Sequence, residues 1–254
     1  MALLDVSAVT VRFGGIVALD ELSFEVEAGE ICGLIGPNGA GKTTLFNCVS
    51  RIYRPTSGSI SFSGHDLLAV PSHGAAGLGI ARTFQNLALF PSLTVLENVM
   101  VGAHARSKQT WVTAALRLGT RREDDRLRAE AADLLRYLGL EEHAFHPCGG
   151  LPFGTLKRIE IARALASCPR LLLLDEPASG LTHAEVAELA ATLRRIRDDF
   201  SLTMLLVEHH MQMVMGLSDN VVVLDFGRKI ADGTPDTVRD DPAVIEAYLG
   251  SGVA

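Results

Sequence analysis

The sequence predicts an α/β fold on a mainly parallel core sheet, and three observations point to it. Short strand-like runs at residues 31–35, 170–175, 202–208 and 220–226, each with an unbroken apolar centre, lead into glycine, paired acids or histidine. Helical patterns separate these runs, and unbroken apolar strands between helices imply a sheet buried on both faces. The middle, from about residue 94 to 166, changes character and reads as mainly helical.

Residues 6–13 alternate enough to form a strand, and so do residues 22–27, with Gly14-Gly15 and Ala28-Gly29 as turns. Residues 31–35 form a buried strand running into glycines, and residues 42–51 a helix. Pro55-Thr56-Ser57-Gly58 and Gly64 bracket a short strand at 59–63. In the helical middle, Leu127, Ala131, Leu134, Leu135 and Leu138 fall on one stripe, with Arg128, Glu130, Asp133 and Arg136 on the other face. A strand at 170–175, a helix at 184–200 and strands at 202–208 and 220–226 follow, the last closed by Gly227. No repeat or low-complexity linker interrupts the chain. It reads as one domain, residues 1–254, with a helical subdomain inserted at about 86–166 and a C-terminal helix at about 241–249.

Of the 254 residues, 48% are hydrophobic and 21% charged, a globular balance rather than a disordered one. Thirty acidic against 23 basic residues give a net charge of −7, which argues against nucleic acid as a partner. Cys32, Cys48, Cys148 and Cys168 are scattered, without a CxxC pair, and read as free thiols of a reducing compartment. The first residues lack a basic n-region, and no apolar stretch is long enough to cross a bilayer. A cytoplasmic protein is expected, with any membrane role supplied through a partner.

Gly36-Pro37-Asn38-Gly39-Ala40-Gly41-Lys42-Thr43 fits GxxxxGK[ST], between a strand and a helix as that loop requires. The glycines let backbone N–H groups face phosphates, and the helix that follows, with Thr44 in its first turn, adds its positive dipole end. Lys42 is placed to reach the β- and γ-phosphates and the Thr43 hydroxyl to bind Mg²⁺. The strand Leu171-Leu172-Leu173-Leu174-Asp175-Glu176 ends in two carboxylates. Asp175 suits the metal, and Glu176 suits a general base that polarises the attacking water. Gln85, after Arg82-Thr83-Phe84, offers a neutral amide to metal and water. Val207-Glu208-His209-His210 closes another strand; His209, first after it, is the preferred γ-phosphate contact and His210 the alternative. Leu151-Pro152-Phe153-Gly154-Thr155 opens a helix at 156–166 whose N-terminus can serve a second nucleotide, on another subunit.

In this order the motifs resemble the ABC ATPase superfamily over nearly the whole chain. The resemblance implies a P-loop NTPase domain with a mainly parallel core sheet, an N-terminal antiparallel β subdomain and an inserted helical subdomain. It assigns the segments as Walker A loop, Q-loop (Gln85), signature motif (Leu151, Pro152, Phe153, Gly154, Thr155), Walker B strand, D-loop (Ser179-Gly180-Leu181-Thr182) and switch histidine. It also implies that Phe13 stacks on adenine and that two ATPs, with Mg²⁺, bind between two ATPase subunits arranged head to tail.

Arg12-Phe13-Gly14-Gly15-Ile16-Val17-Ala18-Leu19, the segment ARTFQNLALFPSLTVLE, LKRIEIARA and the ending VIEAYLG are similar to the branched-chain amino-acid uptake branch, in particular to its larger ATPase subunit. That similarity implies a second ATPase subunit (a paralogue or a second copy), two membrane permeases, a periplasmic binding protein acting indirectly, and a peripheral place on the cytoplasmic face of the inner membrane. Two residues depart from the superfamily pattern. Pro152 stands where Ser usually contacts the partner's γ-phosphate, and Thr182 where the D-loop usually ends in Asp. A soluble ABC ATPase of cofactor assembly is the alternative reading. A DNA-repair ATPase would need long coiled coils, and no sustained heptads are present.

Overall fold

The computed structural model describes residues 2–71, 74–84, 87–106 and 120–250. Two compact units result, one of Met1–Arg82 with Arg170–Ala254 and one of Thr83–Pro169. In chain order the first unit opens with β1 (Ala2–Phe13), β2 (Ile16–Glu27), β3 (Ile31–Ile35), α1 (Lys42–Val49), β4 (Ser57–Phe62), β5 (His65–Asp66) and β6 (Ile80–Arg82). The second unit holds α2 (Val95–Ala103), α3 (Thr120–Tyr137) and α4 (Phe153–Leu165). The first then resumes with β7 (Leu171–Asp175), α5 (His183–Phe200), β8 (Thr203–Val207), α6 (Met211–Leu217), β9 (Asn220–Asp225), β10 (Arg228–Gly233), α7 (Pro235–Arg239) and α8 (Pro242–Gly250).

The central sheet runs β10-β9-β3-β8-β7-β6, all parallel except β10, which pairs antiparallel with β9. Every residue of β3, β7 and β8 is buried, as their unbroken apolar runs require. A second, antiparallel sheet has the order β2-β1-β4-β5. Its strands start earlier than their patterns suggest. In β1 a register shift between Val6 and Val9, with Ala8 at φ 49°, breaks the alternation, so the paired start at Ala2 is hidden. In β2 the first residues, Ile16 and Val17, are exposed, so apolarity there does not follow the pleat. Edge strand β10 carries Arg228, Lys229 and Asp232, charges of the kind that blunt an edge, and no apolar run to announce it.

In the second unit, Leu127, Ala131 and Leu135 are buried along α3, with Leu138 buried just past its end and Leu134 half-buried, as the stripe predicts. Thr94 caps α2 in a reciprocal box with Glu97. Helices α2 and α4 approach so closely at Gly102 that a Cβ there would lie 1.8 Å from the Arg163 carbonyl. Buried Asn98 fastens the preceding loop: its Oδ1 accepts the Phe90 N–H at 2.8 Å and its amide donates to the Phe90 and Thr94 carbonyls, both at 3.0 Å. Helix α4 begins at Phe153, three residues before the expected start. Pro152 is its N-cap (φ −55°, ψ 147°), and the first helical bond runs from the Leu156 N–H to the Pro152 carbonyl. The Pro ring fixes φ at a value that leads into a helix, so the turn forms without a capping side chain.

Candidate active site

The carboxyl ends of the parallel strands meet at one edge of the central sheet, where open α/β sheets place ligands. From β3 the chain enters the loop of Gly36, Pro37, Asn38, Gly39, Ala40 and Gly41 and then α1. Gly36 is obligatory: at φ 149° a Cβ would lie 2.1 Å from the Leu224 carbonyl. Lys42 folds back over the loop, its Nζ donating to the Gly36 carbonyl at 2.6 Å and the Pro37 carbonyl at 2.9 Å. Burial pulls its ammonium below the ordinary lysine value, and the nearby Glu176 charge pulls it back up. Residues 38–44, among them Thr43 and Thr44, line a cavity of about 180 Å³ together with Ala18, Glu176 and His209.

Strand β7 delivers Asp175 and Glu176. Asp175 is buried, and its Oδ2 accepts from the Arg82 guanidinium at 2.8 Å. Arg82, at the end of β6, also donates to Asn47 Oδ1 at 2.7 Å and Ser50 Oγ at 2.9 Å, and lies over the Phe46 ring. Glu176 sits at φ 48°, turned away from the sheet, with its N–H on the Val207 carbonyl. Its Oε1 is 2.9 Å from His209 Nε2. Of the two adjacent histidines, His209 is therefore the one that reaches the carboxylate.

The Thr43 hydroxyl and the Asp175 carboxylate are hard oxygen donors, which suit Mg²⁺. Among the described residues no group of three His, Cys, Asp or Glu could cage a metal unaided. Mg²⁺ characteristically completes its shell with water and substrate phosphates, so two protein oxygens such as these would suffice to hold it.

The other expected residues are spread more widely. Phe13 ends β1 on the surface, 46% exposed and edge-on to Tyr53 with centroids 5.3 Å apart. Leu151, Pro152, Phe153, Gly154 and Thr155 belong to the second unit, where the N–H groups of Phe153, Gly154 and Thr155 precede the first helical bond of α4. Gln85 lies outside the described residues; just before it, the Phe84 N–H is held by buried Glu160 at 2.7 Å. Burial pushes the Glu160 carboxyl up, and the Phe84 bond with the Lys157 and Arg163 charges draws it back.

Three residues near the site escaped the sequence reading: Arg82, Glu208 and Tyr248. Buried Glu208 accepts N–H groups from Ala178 at 2.6 Å, His209 at 2.9 Å and His210 at 3.2 Å. Tyr248, on α8, stands beside the Gly36 backbone, and burial pushes its phenol up to about 12 while that contact pulls the other way. Thr182 has a structural use of its own, as the N-cap of α5 in a reciprocal box with Glu185.

A family model described as ABC transporter matches residues 19–179, and one described as branched-chain amino acid ATP-binding cassette transporter matches residues 228–254. The chain is 42% identical over 249 residues to the high-affinity branched-chain amino acid transport ATP-binding protein BraF of Pseudomonas aeruginosa, covering 98% of each. It is likewise 42% identical over 249 residues to the corresponding protein LivG of Salmonella typhimurium, again covering 98% of each. Among solved structures it is similar to an ATP-binding cassette of an ABC transporter in its ADP conformation, with a TM-score of 0.85, 28% identity and coverage of 98% and 99%.

Proposed function

Because this chain belongs to the family of ABC transporter ATP-binding subunits, which hydrolyse ATP, we propose that it energises uptake of branched-chain amino acids or a related small substrate through partner permeases. The observation that carries this reading is the near end-to-end similarity to BraF and LivG, joined at the C-terminus by the match to the branched-chain family model. The same similarity favours transport over a soluble role in cofactor assembly. No helix among the described residues is long and apolar enough to cross a membrane, so the chain would act from the membrane's surface through its partners.

In this mechanism the loop N–H groups and Lys42 bind the β- and γ-phosphates, and Phe13 stacks on the adenine. Thr43 and Asp175, with Gln85, would hold Mg²⁺, which when bound neutralises phosphate charge. Glu176 takes the proton of the attacking water, and His209 holds Glu176 and faces the γ-phosphate. In a head-to-tail pair with a second ATPase subunit, the first turn of α4, at Pro152, Phe153, Gly154 and Thr155, would face the partner's ATP. Pro152 supplies no hydroxyl there, which leaves the Gly154 N–H as donor.

Deleting the gene in its host is expected to lower uptake of labelled leucine, isoleucine or valine, with restoration by the wild-type chain and not by Lys42→Ala. Unchanged uptake of all three would remove the substrate assignment. Phe13→Ala is expected to weaken ATP binding by about 1–3 kcal/mol, the usual worth of a base stacked on an aromatic ring. Its melting temperature should hardly move, because the ring is half exposed. Titration calorimetry beside thermal unfolding checks both; a large loss of stability at unchanged affinity would make Phe13 a structural residue.

A further inference from the structure

We propose that Glu208 is the positioning residue for the Glu176–His209 pair, holding together the two strand ends from which those side chains project. The inference rests on the catalytic roles proposed above for Glu176 and His209. Strands β7 and β8 pair in parallel as far as Asp175 opposite Val207, so the next residues, Glu176 and Glu208, leave the sheet side by side. A backbone link joins the two ends there, the bond from the Glu176 N–H to the Val207 carbonyl at 2.9 Å. Beyond it the chains diverge: Glu176 turns off at φ 48°, and α6 starts at Met211.

Glu208 bridges that divergence with its side chain. Its Oε1 accepts from Ala178 on the β7 side, and its Oε2 accepts from His209 and His210 on the β8 side. A buried carboxylate can remain in place when backbone N–H groups satisfy both oxygens, and bonds to a charged acceptor are stronger than neutral ones. The result is a closed ring. Glu176 and His209 meet through their side chains at 2.9 Å, and the backbones that carry them are joined through one carboxylate. Two carboxylates thus leave neighbouring strands with separate tasks, Glu176 lining the cavity and Glu208 buried as an acceptor.

The test is Glu208→Gln in the full-length chain, an isosteric change in which one of the two acceptor oxygens becomes an NH₂ group. Turnover is expected to fall roughly 10- to 100-fold, the effect of losing a hydrogen bond to a charged acceptor. The KM for ATP should stay within about twofold, since residues 36–44 still supply the loop N–H groups. Hydrogen exchange should quicken together at Ala178 and at His209 and stay unchanged in β3. Glu208→Asp, one methylene too short to span both strand ends, should give the same split if the Gln variant folds poorly. Unchanged turnover, a parallel loss of KM and kcat, or faster exchange on one side alone would overturn the proposal. Exchange is read without ATP, so it judges the bridge even if Glu176→Gln proves active and the catalytic reading fails.

Discussion

Replacing Glu176 with Gln is expected to slow ATP hydrolysis by about 10²–10⁴-fold, the range a general base contributes. The substitution keeps the shape and an oxygen that can still face His209 Nε2, now 2.9 Å from the carboxylate. What disappears is the group able to take a proton from water. Nucleotide affinity should survive, because the proposed phosphate contacts come from the loop that follows β3. In the assembled transporter the variant should accumulate in an ATP-bound state, seen as nucleotide that stays associated through gel filtration. His209→Ala should also impair turnover, while His210→Ala should leave it near wild type. Hydrolysis within a few-fold of wild type in Glu176→Gln would remove Glu176 from the role of base.

The second large effect is expected at Lys42. Its ammonium closes the loop on itself through the Gly36 and Pro37 carbonyls and is partly withdrawn from water, where one charge counts for more than at the surface. Lys42→Ala removes the lysine charge from the cavity's lining and leaves the Gly36 and Pro37 carbonyls without the ammonium that holds them. Turnover should fall by about 10²–10³-fold or more, as for loss of a preorganised electrostatic contact. ATP binding, measured by displacement of a fluorescent analogue, should weaken strongly as well. A variant that turns over near the wild-type rate would break the assignment of this loop to phosphate.

Where a motif is local, the sequence showed it. The loop at residues 36–43 runs from its strand into its helix, Asp175 ends β7 with Glu176 next, and His209 follows β8. Period and spacing are written in consecutive residues, so these elements could be read directly. What escaped depends on pairs far apart in the chain. Arg82 and Asp175 are 93 residues apart, and nothing around Arg82 announces a carboxylate partner. Glu208 looks like the polar end of a strand, and its inward turn is fixed only once Ala178 lies across from it. The start of β2 was lost because exposed Ile16 and Val17 mimic neither pleat nor turn. Residues 151–155 read as the lead-in to a helix from 156, whereas Pro152 already caps the turn that begins at Phe153.

The Arg82–Asp175 pair changes how mutational data at this site must be interpreted. Both side chains are almost fully enclosed, at 9% and 7% exposure, so neither charge has solvent to fall back on. Breaking such a pair from one side commonly costs about 3–5 kcal/mol, a large share of a domain's stability. Asp175→Asn or Asp175→Ala would therefore strand a guanidinium inside the protein as well as removing a candidate magnesium ligand. An inactive Asp175 variant would speak to folding and to metal binding at once, and the amount of soluble protein recovered would have to be known before either was inferred. Thr43, which carries no charge, offers the cleaner probe of the metal: exchanging its hydroxyl for the methyl of valine leaves the sheet's internal charge balance intact.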